Sequence, residues 1–181
     1  ILETLQKEKL VKLSGGLYHQ TQVKLTYNSN HIEGSKLTED QTRFIFETKT
    51  IGITNEVISV DDIIETSNHF RCIDFVIDNV NNKLSESFIK QLHLLLKTGT
   101  SDSRKNWFKA GDYKLVDNEV GGIETTLVKD VKKEMVKLLK EYNDINNVTV
   151  NDIIDFHYKF ERIHPFQDGN GRVGRLIMFK E

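Results

Sequence analysis

His164-Pro165-Phe166-Gln167-Asp168-Gly169-Asn170-Gly171-Arg172-Val173-Gly174-Arg175 is the stretch on which the reading of this chain turns. Pro165 disfavours helical geometry at His164, so a helix over 151–163 should end there and pass the imidazole to a loop. Gly169 and Gly171 tolerate backbone angles that other residues resist. A glycine-rich turn entering a new helix then points several free N–H groups at one spot, which suits phosphate. Arg172 and Arg175 are three apart, which on a helix places both guanidinium groups on one face, able to grip neighbouring phosphates. Asp168 adds a hard oxygen ligand, the setting in which Mg²⁺ is usually shared between one carboxylate and a nucleotide's phosphates.

Outward from this stretch, the apolar pattern is helical. Ile153, Ile154, Phe156, Phe160 and Ile163 precede it, and Val128, Val131, Met135, Leu138 and Leu139 form another such set. Phe88, Leu92, Leu95 and Leu96 predict a helix stopped at Gly99, and Ile63 through Ile77 a long buried one. Thr38 and Gln41 form a capping-box signature, predicting a helix from about residue 38 that carries Phe44, Ile45 and Phe46. Leu5, Val11 and Leu13 give a further helical pattern near the start. Between Tyr113 and Gly122, the run Val116-Asp117-Asn118-Glu119-Val120-Gly121-Gly122 suits a short hairpin better than a helix. The expectation is a mainly α fold, a single domain over 1–181, with one small β-hairpin.

Composition narrows the function. The chain has 181 residues and a formal net charge of −2, with acids and bases mixed. No basic surplus is available to neutralise a nucleic-acid backbone, so a nucleic-acid partner is not expected. Cys72 is the only cysteine, which excludes an intrachain disulfide and a cysteine-built zinc site and fits a reducing, cytoplasmic setting. No apolar run approaches membrane-spanning length, and Ile1 to Lys7 lacks the order of a signal peptide, so no membrane partner is expected either. The sequence begins without Met and stops at Glu181 in mid-pattern, and the natural chain is expected to extend beyond both ends.

The segment 164–175 resembles the Fic signature His-Pro-Phe-x-Asp/Glu-Gly-Asn-Gly-Arg-x-x-Arg, matched here at every defined position. The resemblance implies a helical Fic-type bundle that transfers AMP from ATP to a Ser, Thr or Tyr hydroxyl of a target protein. It gives His164 the role of base, and Asp168 that of ligand to Mg²⁺ on the α- and β-phosphates. It gives the amides of Gly169, Asn170 and Gly171 the anion hole, and Arg172 and Arg175 the distal phosphates, with pyrophosphate leaving. It also admits self-modification and a homodimer.

Two further segments join the resemblance. Ser29-Asn30-His31-Ile32-Glu33-Gly34 matches the Ser/Thr-x-x-x-Glu-Gly/Asn motif of Fic proteins that carry an N-terminal inhibitory helix, here over about 20–36. By that likeness Glu33 would pair with Arg175 and deny it to the γ-phosphate, leaving ATP in an unproductive pose. Alternatively, Glu33 orients a water that removes AMP from a modified target. The second segment, about 111–122, lies where the family keeps a flap that clamps the target by strand addition. Tyr113 and Lys114 belong to it, Lys114 standing where Arg is frequent.

Other readings of the same residues fare worse. Gly169, Gly171 and Gly174 spell G-x-G-x-x-G, but a dinucleotide fold needs a preceding strand and an acidic residue about 20 positions on. No G-x-x-x-x-G-K-[ST] is present for a P-loop. His19, His31, His69, His93 and His157 show no metal-ligand spacing and read as structural or solvated. A Fic fold kept only for protein contacts is the remaining rival, and the intact His164 and Asp168 speak against it.

Overall fold

Long apolar stripes at helical spacing leave this chain little choice but helices packed on helices, and a computed structural model of residues 1–52 and 57–181 bears that out. The backbone divides into two packed units, Ile1–Asn79 and Val80–Glu181, at a point where the sequence carries no linker signal.

The first unit holds α1 (Leu2–Val11), α2 (Leu17–Ile32), α3 (Glu39–Thr48) and α4 (Val60–Asn79). The capping box at the head of α3 is present in full: Thr38 Oγ1 accepts from the Gln41 N–H, and Gln41 Oε1 accepts from the Thr38 N–H. Leu37, Ile45 and Phe70 form an apolar cluster with Phe46, Ile51, Ile58 and Ile63 around it. The α2–α4 seam is unusually polar. Buried Gln22 donates to the Phe70 carbonyl and to Asp74, Tyr18 donates to Asp74 at 2.8 Å, and Thr26 shares a hydrogen bond with His69 Nδ1. The cost of burying these side chains is offset by partners on the facing helix.

The second unit holds α5 (Glu86–Lys97), β1 (Glu119–Val120), β2 (Ile123–Glu124), α6 (Val128–Asn143), α7 (Val150–Ile163) and α8 (Asn170–Lys180). Its core is apolar, with Ile89, Leu92, Leu96, Met135, Phe160, Phe166, Val173 and Leu176 all buried. A capping box opens α7, Thr149 with Asp152. Gly174 lets α8 approach α7: a Cβ there would lie 2.7 Å from Glu161 Oε1 and 2.8 Å from His157 Nδ1. The third glycine of the G-x-G-x-x-G pattern is therefore a packing residue.

The hairpin differs in extent from the expected 111–122, its strands being Glu119–Val120 and Ile123–Glu124. Gly121 and Gly122 both have positive φ, 58° and 78°, and form its tip, pairing Val120 with Ile123 and Glu119 with Glu124. Two adjacent positive-φ residues fit a two-residue hairpin turn, so the glycines cannot end the hairpin and the second strand falls on 123–124. The N-terminal helix also differs from the expected 20–36: α2 ends at Ile32, and Gly34, at φ +93°, turns the chain out of the helix before Ser35 and Lys36.

Candidate active site

His164 closes α7 in the left-handed region, φ 50° and ψ 62°, its N–H still bonded to the Phe160 carbonyl at 2.9 Å. Few non-glycine residues adopt this geometry, which costs on the order of 1–3 kcal/mol and is held only where its surroundings fix it. The turn places the imidazole in a cavity of about 200 Å³ lined by Val120, Ile123, Glu124, Thr125, Tyr158, Glu161, Arg162 and His164. Glu161 lies one turn back along α7, its Oε2 3.9 Å from His164 Nδ1. Both strands of the hairpin thus face the candidate base across one cavity.

The loop after His164 is fixed from inside. Phe166 is wholly buried and stacks on the His93 ring, centroids 3.9 Å apart. Asn170 staples the loop's two ends: its Oδ1 accepts from the Phe166 N–H and its Nδ2 donates to the Phe166 carbonyl, both at 2.8 Å. The side chain of Asn170 is therefore structural, and only its amide is left for the phosphate role expected of it. Gly169, at φ +81°, is the N-cap of α8 and offers no side chain to its first-turn amides. A Cβ on Gly169 would stand 3.3 Å from Leu96, so this position needs glycine for both its angle and its closeness to α5.

Asp168 is held by α5. Lys97 Nζ donates to Asp168 Oδ2 at 2.6 Å and to Asp102 Oδ2 at 3.2 Å, and Arg172 donates to the same Asp168 oxygen at 3.2 Å. One turn earlier on α5, His93 Nε2 bonds the Asp168 carbonyl at 3.1 Å while Nδ1 accepts from the Gly111 N–H at 2.9 Å. A carbonyl can only accept and an amide only donate, so the ring is neutral with its proton on Nε2. Burial pushes His93 down to about 3. For Asp168, burial acts upward, but the charges of Lys97 and Arg172, with the Gly169 N–H, outweigh it and hold the carboxyl below its ordinary value.

Arg172 is thus buried and engaged with Asp168, while Arg175, a turn further on α8, is partly exposed. Arg175 also bears on His157, which is held below its ordinary value first by burial and then by that guanidinium's charge. Among the described residues no cluster of three or more His, Cys, Asp or Glu gathers to hold a metal. A magnesium ion still fits, because one half-exposed carboxylate kept ionised is what this ion takes from a protein when phosphates supply the remaining ligands.

Tyr113 and Lys114 sit at the base of the hairpin. Lys114 is buried, its N–H donating to the Pro165 carbonyl at 2.9 Å and its Nζ to Asn118 Oδ1 and Thr125 Oγ1 at 2.7 and 2.6 Å. Burial lowers its pKa to about 8. Tyr113 packs between Phe166 and Lys90, whose Nζ stands 4.1 Å from the ring centre. Both residues anchor the hairpin to the loop, as does Gln167, which accepts from the Val116 N–H at 3.2 Å.

Ser29, Glu33 and Gly34 lie in the first unit. Ser29 is buried on α2, and Glu33 is the C-cap, its N–H bonded to the Asn30 carbonyl at 3.1 Å.

His93, Lys97 and Asp102 are the site residues that sequence reasoning misses. Their one signal is a lysine on the apolar face of α5, at i+4 from a histidine.

The chain matches the profile of the Fic/DOC family over residues 83–180, from just before α5 to the end of α8. It is 28% identical over 171 residues to protein adenylyltransferase fic-1 of Caenorhabditis elegans, covering 90% of this chain and 32% of that protein. To protein adenylyltransferase Fic of Nematostella vectensis it is 26% identical over 159 residues, 84% of this chain and 35% of that one. The chain therefore spans about a third of the length of these curated relatives. Among solved structures it resembles a Fic domain containing signaling protein from Bacteroides thetaiotaomicron, with a TM-score of 0.77 at 27% identity over 98% of this chain and 70% of that one. A Fic family protein from Desulfovibrio desulfuricans also gives 0.77, at 25% identity over 99% of this chain and 54% of that one. With a helical fold, a complete signature loop and a family match over more than half its length, the chain belongs to the Fic/DOC family.

Proposed function

We propose that this chain transfers the AMP part of ATP to a Ser, Thr or Tyr hydroxyl of a target protein or of itself. The observation that carries the reading is the placement of His164 on a strained turn, in one cavity with both hairpin strands and in one loop with Asp168 and the uncapped start of α8. The relatives named protein adenylyltransferase support AMP as the group transferred.

In this reading the target hydroxyl reaches His164 past the hairpin, whose strand edges pair with the target backbone. With Nδ1 turned toward Glu161, Nε2 takes the hydroxyl proton as the oxygen attacks the α-phosphorus. A phosphoester bond forms, the bond to the β-phosphate's bridging oxygen breaks, and pyrophosphate departs. The amides of Gly169, Asn170 and Gly171 stabilise the charge that builds on the phosphate oxygens, and Arg172 and Arg175 hold the distal phosphates. Asp168 would hold Mg²⁺, which when bound screens the charge of the α- and β-phosphates. Positioning and fixed charge, rather than covalent chemistry by the protein, supply the rate.

Regulation rests on the Ser29 to Gly34 motif. By the Fic resemblance, the Glu33 carboxylate would pair with Arg175 and withhold it from the γ-phosphate, so that nucleotide would bind unproductively until that carboxylate moves.

The test of the chemistry is ATP labelled in either the α- or the γ-phosphate, incubated with the Glu33→Gly protein and candidate targets. Stable labelling of protein from the α position alone is expected. Labelling from the γ position would mean phosphoryl transfer, and labelling from neither across a broad target panel would favour a Fic fold kept for binding.

A further inference from the structure

Lys97 is buried, 2% exposed, and carries a charge into the interior. A buried ammonium persists only where it is paired and hydrogen-bonded. Its partners are Asp168 Oδ2 and Asp102 Oδ2, and the Phe108 ring lies 5.5 Å from Nζ. Arg172 shares the Asp168 oxygen and Lys105 caps the other oxygen of Asp102 at 2.7 Å. Two cations, Lys97 and Arg172, thus share the inner oxygen of Asp168, and Lys105 adds a further positive charge beside Asp102.

Such a cluster repels a bare divalent ion. A unit charge some 5 Å away raises the energy of a doubly charged ion by several kcal/mol even at an effective dielectric near 20. The negative phosphates of a nucleotide offset that repulsion when they arrive. Resting on the assignment of Asp168 as the magnesium ligand, we propose that Lys97 is a positioning residue that makes divalent-cation binding at Asp168 conditional on nucleotide. It holds the carboxylate in one orientation, occupies its inner oxygen, and keeps the site closed to metal until phosphates are present. His93 supports the same arrangement by fixing the Asp168 carbonyl from one turn earlier on α5.

A purely structural role and this one predict opposite signs. If Lys97 only orients Asp168, its loss weakens metal binding in every state. If it also excludes the ion, its loss creates metal binding where there was none.

The experiment measures Mn²⁺ binding by electron paramagnetic resonance on the folded chain, with and without α,β-methylene ATP. The wild type is expected to bind Mn²⁺ with the analogue and to leave it free without. Lys97→Met, near in volume, is expected to bind Mn²⁺ without nucleotide at least about tenfold more tightly than the wild type. Lys97→Arg should keep the wild-type pattern. Lys97→Met that gains no nucleotide-free binding overturns the proposal. Asp102→Asn, a partly exposed position, reads the same balance from the other side and decides the matter if Lys97→Met does not fold. It should weaken analogue-dependent Mn²⁺ binding several-fold, and unchanged binding overturns the proposal. Asp168→Asn separates the two layers: if it leaves analogue-dependent binding intact, the assignment of Asp168 fails. If it abolishes that binding while Lys97→Met and Asp102→Asn change nothing, only the role of Lys97 fails.

Discussion

The two walls of the candidate site are built on opposite principles. On the α5 side, His93, Lys97, Phe166 and Asn170 are buried and every polar atom named there has a partner within 3.3 Å. On the hairpin side, Glu119, Val120, Ile123 and Glu124 are exposed on strands of two residues each. Groups proposed to hold a nucleotide gain from being fixed in advance, because no free energy is then spent ordering them. Strands proposed to pair with a target chain gain from open edges. The base of the hairpin joins the two, through Lys114, Asn118, Thr125 and Gln167.

Breaking the fixed wall should show the largest effect. Phe166→Ala removes a wholly buried ring from between His93 and Phe160 and is expected to cost about 3–5 kcal/mol in urea unfolding. Gly174→Ala presses a methyl group against His157 and Glu161 and is expected to cost about 1–3 kcal/mol, read as a fall in melting temperature. The hairpin side sharpens the contrast from the other end. Ile123→Ser should change stability by no more than about 0.5 kcal/mol, while labelling of a protein target falls severalfold relative to self-labelling.

A pH series tests the neutrality of His93. Because burial sets its folded value near 3 against an ordinary 6.5, the unfolded chain takes up this proton first as pH falls. Stability contributed by the neutral ring is therefore complete above pH 6.5 and declines toward pH 3. His93→Gln, which can still donate and accept, should flatten that part of the melting-temperature profile. An unchanged acid slope would show that other groups carry it.

Much of this architecture is legible in the amino-acid sequence. The Thr38–Gln41 box, the apolar stripes and the stop at His164 are local signals, each complete within a few residues, and each appears in the fold. The loop 164–175 is legible for the same reason, since its glycines, arginines and proline act on near neighbours. Lys97 and His93 are not, because their meaning depends on Asp168, 71 and 75 residues away. A lysine within an apolar stripe gives no sign of its partner until the chain is folded. The sequence of the loop points to the backbone of Asn170 and not to its side chain, whose two bonds to Phe166 close the loop. The second strand of the hairpin escapes the sequence because a glycine pair can either end a hairpin or form its tip, and only the positive φ of both residues decides between the two.

The central claim is that His164 is the base and that Glu33 restrains the site it serves. Self-labelling with ATP labelled in the α-phosphate, run on wild type, Glu33→Gly and the Glu33→Gly, His164→Ala double variant, addresses both at once. The account predicts more label in Glu33→Gly than in wild type, and a loss of about 10²–10⁴-fold on adding His164→Ala. Label in the double variant equal to that in Glu33→Gly would contradict it.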